Sequence, residues 1–419
     1  MNILVINGGS STLKATLREL PEGALPLDPP SPLWDAQVDW GRHPGKAQIR
    51  VRGSSGEAAQ SEIAIQSPAD VLRPVIETIW SGPAKALDGP GQIAVVGHRV
   101  VHGGVAFQET TRITPEVRAG IQKYCEFAPE HNRLELEAIE ESEQIFGPKM
   151  PQVAVFDTAF HTTISQAAAV YPGPFEWYEK GIRRYGFHGT SHRYASRRAA
   201  AILGRDADTL GPDALRLVTC HLGNGASLAA VRAGKSVDTT MGFTPLDGVM
   251  MGTRSGSVDP GILIYLVRHQ GCRADELDRL LNKESGLKGV SGISGDMREI
   301  LGAIAQGDPR ARLAFDVYTH RLCREIGGMV ASLGGIDALV FTAGIGENCA
   351  PLRTAVCERL AFLGVRLDAA SNQHPAMDSD IATPESPVRV LVIRADEDWE
   401  IARECHRMCQ PPCHPPQSP

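Results

Sequence analysis

ILVINGGSSTLKATL (Ile3–Leu17) and LRLVTCHLGNGASLAAV (Leu215–Val231) share one plan: an apolar strand, a turn of glycine and small polar residues, and a returning apolar strand. A run that is apolar throughout, such as Ile3–Ile6, reads as a strand buried on both faces. One copy opens each half of the chain. Together with strand-to-glycine turns at Gly103 and Gly344, the repeat predicts two related α/β domains facing one cleft.

The surrounding sequence fits that plan. Val38–Trp40 and Gln48–Val51 alternate within the Pro-, Gly- and Ser-rich stretch 21–66 and read as an edge meander. Ser67-Pro68 and Thr114-Pro115 are cap-and-proline signals, for helices reaching about Trp80 and about Phe127. Further strands are expected at Ile93–Val96, Pro151–Phe156, Leu215–Thr219, Ala226–Val231, Ala338–Thr342 and Val388–Ile393. Two helices are expected between about 260 and 282, and a long one near 309–333.

Composition narrows the class. The 419 residues include 43 glycines and 29 prolines, both above the usual share, with 42% hydrophobic residues and a net charge of −7. The chain is too apolar for disorder, and its acidic balance argues against a general nucleic-acid binder. No stretch reaches the length needed to span a bilayer, so no membrane partner is expected. The N-terminal apolar run is too short for a signal-peptide core. Nine scattered cysteines fit reduced thiols and a cytoplasmic location. Cys405, Cys409, Cys413 and His414 match no standard zinc module, and Pro411-Pro412 breaks the helix that would aim them, so a frayed terminus is expected there.

Several constellations carry chemistry. Asn7–Lys14 (NGGSSTLK) puts hydroxyls, backbone N–H groups and a lysine on a hairpin turn, a combination suited to phosphate oxygens, although its spacing is not that of a Walker loop. His221–Gly225 and Ala343–Asn348 are glycine turns at strand ends that let backbone approach a nucleotide. Arg99 and Arg254 sit among glycines, where a guanidinium reaches carboxylate or phosphate oxygens bidentately. His188 and His192 are four apart, the spacing of a metal pair on one helix face, but the first lacks the adjacent Glu of a zinc protease. His188 alone could instead donate to a phosphoryl oxygen, with His192 a buried hydrogen-bonding residue. Asp157 and the run Asp396-Glu397-Asp398 place acids at strand ends, where few carboxylates and several waters hold Mg²⁺; dipole complementation is the rival for Asp398.

NGGSSTLK, GHRVVHGG, APEHN, FDTAFH, RRYGFHGTSH, CHLGNGAS, DTTMGFTPLDGVMMGTRSGSVDPG, GVSGISGDMR, FTAGIGEN and DED-x-x-IAR occur in that order from residue 2 to about 403 and together resemble the acetokinase family. The resemblance implies an α/β fold of two duplicated ribonuclease-H-like (actin-like ATPase) domains flanking a nucleotide cleft. It implies a first domain of 1–156 completed by 396–419, and a second of 157–395. The implied reaction is reversible, Mg²⁺-dependent in-line phosphoryl transfer between ATP and acetate, giving ADP and acetyl phosphate, with Mn²⁺ as an alternative ion and a homodimer as the assembly. Carried over by motif, Asn7 and Glu397 would serve the metal, and Lys14 the nucleotide phosphates. Arg99 would hold the acyl carboxylate, Asp157 would be an essential acid, and His188 and Arg254 would stabilise the phosphoryl, with His131 and His221 nearby. His221, Leu222, Gly223, Asn224 and Gly225 would surround the nucleotide. So would Asp296, Met297 and Arg298, and then Gly344, Ile345, Gly346, Glu347 and Asn348. Val101, Phe187 and Pro245 would line the pocket for the substrate methyl.

The chain departs from the family pattern at Gly8 and Thr12 in the first turn, at Glu130 where leucine is common near the acyl pocket, and at Ala395–Asp398. A carboxylate facing a methyl is unfavourable unless hydrated or paired, so Glu130 either points away or marks a larger, wetter pocket. Three rivals stay open: a propionate or butyrate kinase, since one methylene discriminates by only about 1–3 kcal/mol; a metallohydrolase on His188 and His192; and a non-catalytic ATP-binding switch.

Overall fold

In the computed structural model, residues 1–9, 12–41, 45–54, 56–65, 67–127, 129–211 and 213–410 are described, with the side chains of 68, 69 and 129–131 excepted. The chain divides into two compact units, Met1–Ala159 with Asp396–Pro419, and Phe160–Ala395.

The first unit is built on β1 (Asn2–Gly8), β2 (Thr12–Glu19), β3 (Trp34–Asp39), β4 (Lys46–Gly53), β5 (Ala58–Ala64), β6 (Ile93–Val100), β7 (Thr111–Arg112) and β8 (Gln152–Phe156). They form one sheet in the order β5-β4-β3-β2-β1-β6-β8-β7. Strands β1 to β5 run as an antiparallel meander, whereas β6 and β8 join β1 in parallel. The expected edge meander is therefore an extension of the main sheet. Its outermost strand, β5, escaped the sequence reading because AAQSEIA buries almost nothing and shows no clean alternation. The Ser67-Pro68 signal gives a 3₁₀ turn, Pro68–Val71, before a short α-helix, Leu72–Glu77. There the cap acceptor is Asp70, whose carboxylate takes bonds from the Ser67 N–H and hydroxyl. At the second signal Thr114 accepts from the Val117 N–H, as its position predicts.

Leu4, Ile6, Leu17, Trp34 and Val38 pack with Val75 and Ile79 in the core on one side of this sheet. The Glu397–Cys409 helix packs on β1 and β6. Its Cys405 Sγ lies 2.4 Å from where a Cβ on Gly97 would stand, so β6 needs glycine at that position. Cys405 is thus a fully buried packing residue; Cys413 and His414 lie outside the described residues.

The second unit repeats the plan with β9 (Arg216–Leu222), β10 (Ala226–Arg232), β11 (Lys235–Thr239), β12 (Ala338–Thr342), β13 (Ser379–Asp380) and β14 (Arg389–Val392), in the order β11-β10-β9-β12-β14-β13. Here β9, β10 and β11 are antiparallel while β12 and β14 run parallel to β9. An antiparallel trio followed by two parallel strands is thus common to both sheets, which is the ribonuclease-H-like order. The Pro309–Leu333 helix, capped by Asp308 and ended by left-handed Gly334, lies against β10. Helices Pro260–Gln270 and Ala274–Lys283 meet the expectation for 260–282. Among the described residues no helix is long and apolar enough to cross a membrane.

Candidate active site

In the first unit the site groups gather where the parallel strands end. Arg99, near the end of β6, donates from Nε to both oxygens of Asp157 at 3.1 Å and from Nη2 to Oδ2 at 2.6 Å. Asp157 follows β8 directly and is only 1% exposed. The second guanidinium nitrogen, Nη1, makes longer contacts, 3.4 Å to Asn7 Oδ1 and 3.3 Å to the Gly8 carbonyl. Burial works against the Arg99 charge, but Asp157 and Glu397 outweigh it and raise its pKa. Asn7, on β1, donates from Nδ2 to Asp398 Oδ1 at 2.9 Å and Glu397 Oε2 at 3.3 Å. Burial lifts the Asp398 carboxyl above its ordinary range, while Asn7 and Lys14 pull it down. Lys14 pairs across the hairpin with Asn7. The helix that carries the acids is anchored by Asp396, which caps Trp399 and pairs with Arg18 at 3.0 Å.

One group near this cluster carried no signal in the sequence. Glu135 is 3% exposed; its Oε2 accepts from the Val101 N–H at 3.0 Å, and its Oε1 finds no hydrogen-bond partner among the described residues. Burial pushes its carboxyl up to about 8, opposed by Arg99 and the Val101 bond. In the sequence it is one acid among several on a charged helix, and only the packing singles it out.

In the second unit the helix Gly189–Ile202 begins at His188, a non-glycine residue with φ +54°. Positive φ at such a residue is uncommon and costs energy, and such strain clusters at functional sites. The His188 ring stacks on His221, from the end of β9, with centroids 4.2 Å apart. A Cβ placed on Gly225 would lie 3.5 Å from both His188 Nε2 and Arg254 Nη1, so this glycine turn sits against both side chains. Arg254 also donates to the Pro245 carbonyl at 3.4 Å. Gly252 holds the same region together: its N–H donates to the Asn224 carbonyl, and a Cβ there would lie 2.3 Å from Asn224 Oδ1.

The remaining glycine-turn residues divide by burial. Leu222 and Met297 point into the core, so only their backbone is available to a ligand. Asp296 caps the Met297–Ala305 helix and pairs with exposed Arg298. Gly344–Asn348 forms a single helical turn in which Asn348 donates to the Gly344 carbonyl, while Glu347 accepts from the Ala395 N–H. Val101 and Phe187 are buried and Pro245 is half-buried. The side chains of Glu130 and His131, and the turn residues Ser10 and Ser11, lie outside the described residues.

The His188–His192 metal pair is overturned. Both His192 ring nitrogens are taken by hydroxyls, Nδ1 by Thr219 and Nε2 by Ser227, each at 2.7 Å. Among the described residues no group of three or more His, Cys, Asp or Glu is arranged to hold a metal.

Two ribonuclease-H-like sheets, with the Arg99–Asp157 pair at strand ends of one and the His221–Gly225 glycine turn at a strand end of the other, define an α/β protein of the actin-like ATPase fold. The acetokinase family model matches residues 2–403, and the chain belongs to that family. It is 54% identical over 410 residues to the acetate kinase of Cyanothece sp., covering 98% of this chain and 99% of that one. The crystal structure of Porphyromonas gingivalis acetate kinase superposes with a TM-score of 0.86 at 39% identity, covering 96% of this chain and 98% of that one. A propionate kinase from Francisella tularensis superposes with a TM-score of 0.85 at 36% identity over the same shares.

Glu135 yields a test by pH. A carboxyl raised to about 8 in the folded state, against 4.5 unfolded, gives stability that is full below about pH 4.5 and is lost as pH rises through 8. Glu135→Gln keeps the neutral form at every pH. Its unfolding free energy should therefore gain on the parent by about 2 kcal/mol between pH 6 and pH 8.5 in urea titrations. A difference constant across that range would mean that Glu135 is ionised throughout.

Proposed function

We propose that the chain catalyses reversible transfer of a phosphoryl group between ATP and acetate, giving ADP and acetyl phosphate. The observation that carries this reading is the approach of Arg254 Nη1 and His188 Nε2 to one glycine, Gly225. Phosphoryl transfer to a carboxylate needs little proton chemistry, because the acceptor is already ionised near pH 7. It needs in-line positioning and hydrogen-bond donors, charged or neutral, around the equatorial oxygens of the transferring group. Arg254 and His188 supply those donors, and His221, stacked on His188, restricts its ring. Arg99 holds the acyl carboxylate through Nη1, whose protein contacts are its longest, while Asp157 fixes the other edge of the guanidinium. The turns at His221–Gly225, Asp296–Arg298 and Gly344–Asn348 offer backbone to the nucleotide, and Lys14 a cation to its phosphates. Val101, Phe187 and Pro245 receive the methyl group.

Asn7, Glu397 and Asp398 form the oxygen-donor set for Mg²⁺, with Mn²⁺ as the alternative ion. The set suits a hard cation, which is held by few carboxylates and keeps several waters. The raised Asp398 carboxyl beside two further acids is a second sign, because a bound cation would favour its ionised form. When bound, the ion would neutralise charge on the nucleotide phosphates.

The assembly we propose is a homodimer, located in the cytoplasm. The eight described cysteines are all free thiols, which fits a reducing compartment. The Pro260–Gln270 helix buries none of its residues, and Ile262, Ile264, Tyr265 and Val267 are each about half exposed. An apolar face of that kind marks an association surface.

Three measurements test these statements. A hydroxamate assay with a panel of carboxylates and phosphoryl donors should give the highest kcat/KM for acetate with ATP. A butyrate optimum would replace the substrate, and no activity with any carboxylate would refute the reaction. Arg254→Ala should lower kcat by about 10³-fold or more, the range of arginine-finger losses; near-normal kcat would remove Arg254 from the transition state. In light scattering, the parent should show twice its chain mass of 45.0 kDa, and an Ile264→Glu, Tyr265→Glu double variant the single mass.

A further inference from the structure

Behind His188 runs a chain of buried hydrogen bonds that the reaction as described leaves unused. Ser227 Oγ, on β10, lies 2.9 Å from His188 Nδ1 and 2.7 Å from His192 Nε2. His192 Nδ1 in turn lies 2.7 Å from Thr219 Oγ1, on β9. Ser227, His192 and Thr219 are completely buried. We infer that Thr219, His192 and Ser227 are positioning residues whose hydrogen-bond order holds neutral His188 as the Nε2–H tautomer, ready to donate to the transferring phosphoryl.

The proton count leads there. Each hydroxyl has one proton to give, and neutral His192 has one ring N–H. His192 is neutral because burial pushes its pKa well below the ordinary value. Two orders satisfy the chain. In one, Thr219 donates to the Ala229 carbonyl and accepts from His192 Nδ1–H; Ser227 then donates to His192 Nε2 and accepts from His188 Nδ1–H. Neutral His188 would then present only a lone pair at Nε2. In the other, Thr219 donates to His192 Nδ1, His192 Nε2–H donates to Ser227, and Ser227 donates to His188 Nδ1, which leaves the His188 proton on Nε2. The two orders are decided at Thr219. In the first order the buried Thr219 proton meets only the Ala229 carbonyl, at 3.4 Å and beyond the ordinary O–H···O range, whereas in the second it meets His192 Nδ1 at 2.7 Å, so only the second leaves no buried donor poorly satisfied. The second order follows, with the tautomer assigned from the network.

The consequence is chemical. An Nε2–H imidazole donates to a phosphoryl oxygen without first becoming an imidazolium, so its donor does not disappear as pH rises through the histidine range. The groups facing His188 are His221 in the stack, Arg254 across Gly225, and His192 behind Ser227, with His161 next to His192. His161 is itself depressed to about 4, by burial foremost, and then by Arg193 and Arg184. A cation beside a ring disfavours its imidazolium, which adds to the case for a neutral donor.

This inference rests on the phosphoryl-transfer reading of His188, and its test separates the two. Selective ¹⁵N-histidine labelling of the full-length protein reads the His188 tautomer directly, whether or not the protein turns over any carboxylate. The expected spectrum shows a protonated Nε2 and an unprotonated Nδ1 at pH 7.5, whereas an Nδ1–H signal overturns the inference. Thr219→Val and Ser227→Ala should each move the proton population toward Nδ1. Each should lower kcat about tenfold or more, leave both KM values within about twofold, and give a rate that falls above pH 7. Thr219→Ser, which keeps the hydroxyl, should restore the parent tautomer and pH profile. Folded Thr219→Val or Ser227→Ala protein with unchanged tautomer and pH profile would reduce the chain to packing. Should either variant fail to fold, the parent spectrum and Thr219→Ser still decide.

Discussion

A guanidinium withdrawn from water organises the first unit. Arg99 and Asp157 have side chains only 14% and 1% exposed, and each makes the other tolerable in that setting. Deleting one partner of a buried pair costs about 3–5 kcal/mol because the other charge is left stranded. The pair also sets the neighbouring groups. Arg99 reaches Asn7 Oδ1 and the Gly8 carbonyl, and the amide of Asn7 holds Glu397 and Asp398 at the start of the last helix. A residue at the beginning of the chain is thereby tied to two near its end. Closing so long a loop is unfavourable in entropy, and the buried helix face around Trp399, Ile401 and Cys405 offsets it.

The two sheets share a strand order but not a chemistry. In the first unit the strand ends carry ions, an arginine against three carboxylates. In the second they carry neutral hydrogen-bonding groups, histidines bridged by serine and threonine hydroxyls, with Arg254 as the cation beside them. The division suits the proposed reaction. A metal and an acyl carboxylate call for fixed charge, whereas a phosphoryl in flight calls for donors whose protonation does not drift. Fold alone carries neither assignment, since the same strand order supports both chemistries.

Legibility followed the locality of each signal. The hairpin repeat, the Thr114 cap and the Pro309–Leu333 helix rest on neighbouring residues, and the structure has them at or close to the expected positions. Arg99, Asp157, His188 and Arg254 were marked by runs of glycine and by strand ends, which are also local. Glu135 carried no such mark, because its unusual chemistry comes from burial beside groups distant in sequence. The His188–His192 spacing suggested a metal for the opposite reason. It is local and real, but what each ring nitrogen meets is decided by Thr219 and Ser227 on other strands. β5 was missed because an edge strand that is only partly buried, at Ala59 and Ile63, imposes too little alternation to read.

The glycine surplus separates along the same line. Around Gly225 and Gly252 a methyl group would collide with or crowd functional side chains, so those positions are fixed by close approach. Among the described residues nothing lies within 4 Å of where a Cβ on Gly8 or Gly344 would stand, and neither is among the glycines with positive φ. Sterics within each unit therefore do not demand glycine at these two positions. Both occupy turns proposed to meet phosphate or nucleotide, where a bare backbone lets the ligand come close to the peptide N–H groups. Gly8 in addition lends its carbonyl to Arg99. Its departure from the family's small side chain thus bears on how closely a phosphate can approach the first hairpin, and not on whether that hairpin folds.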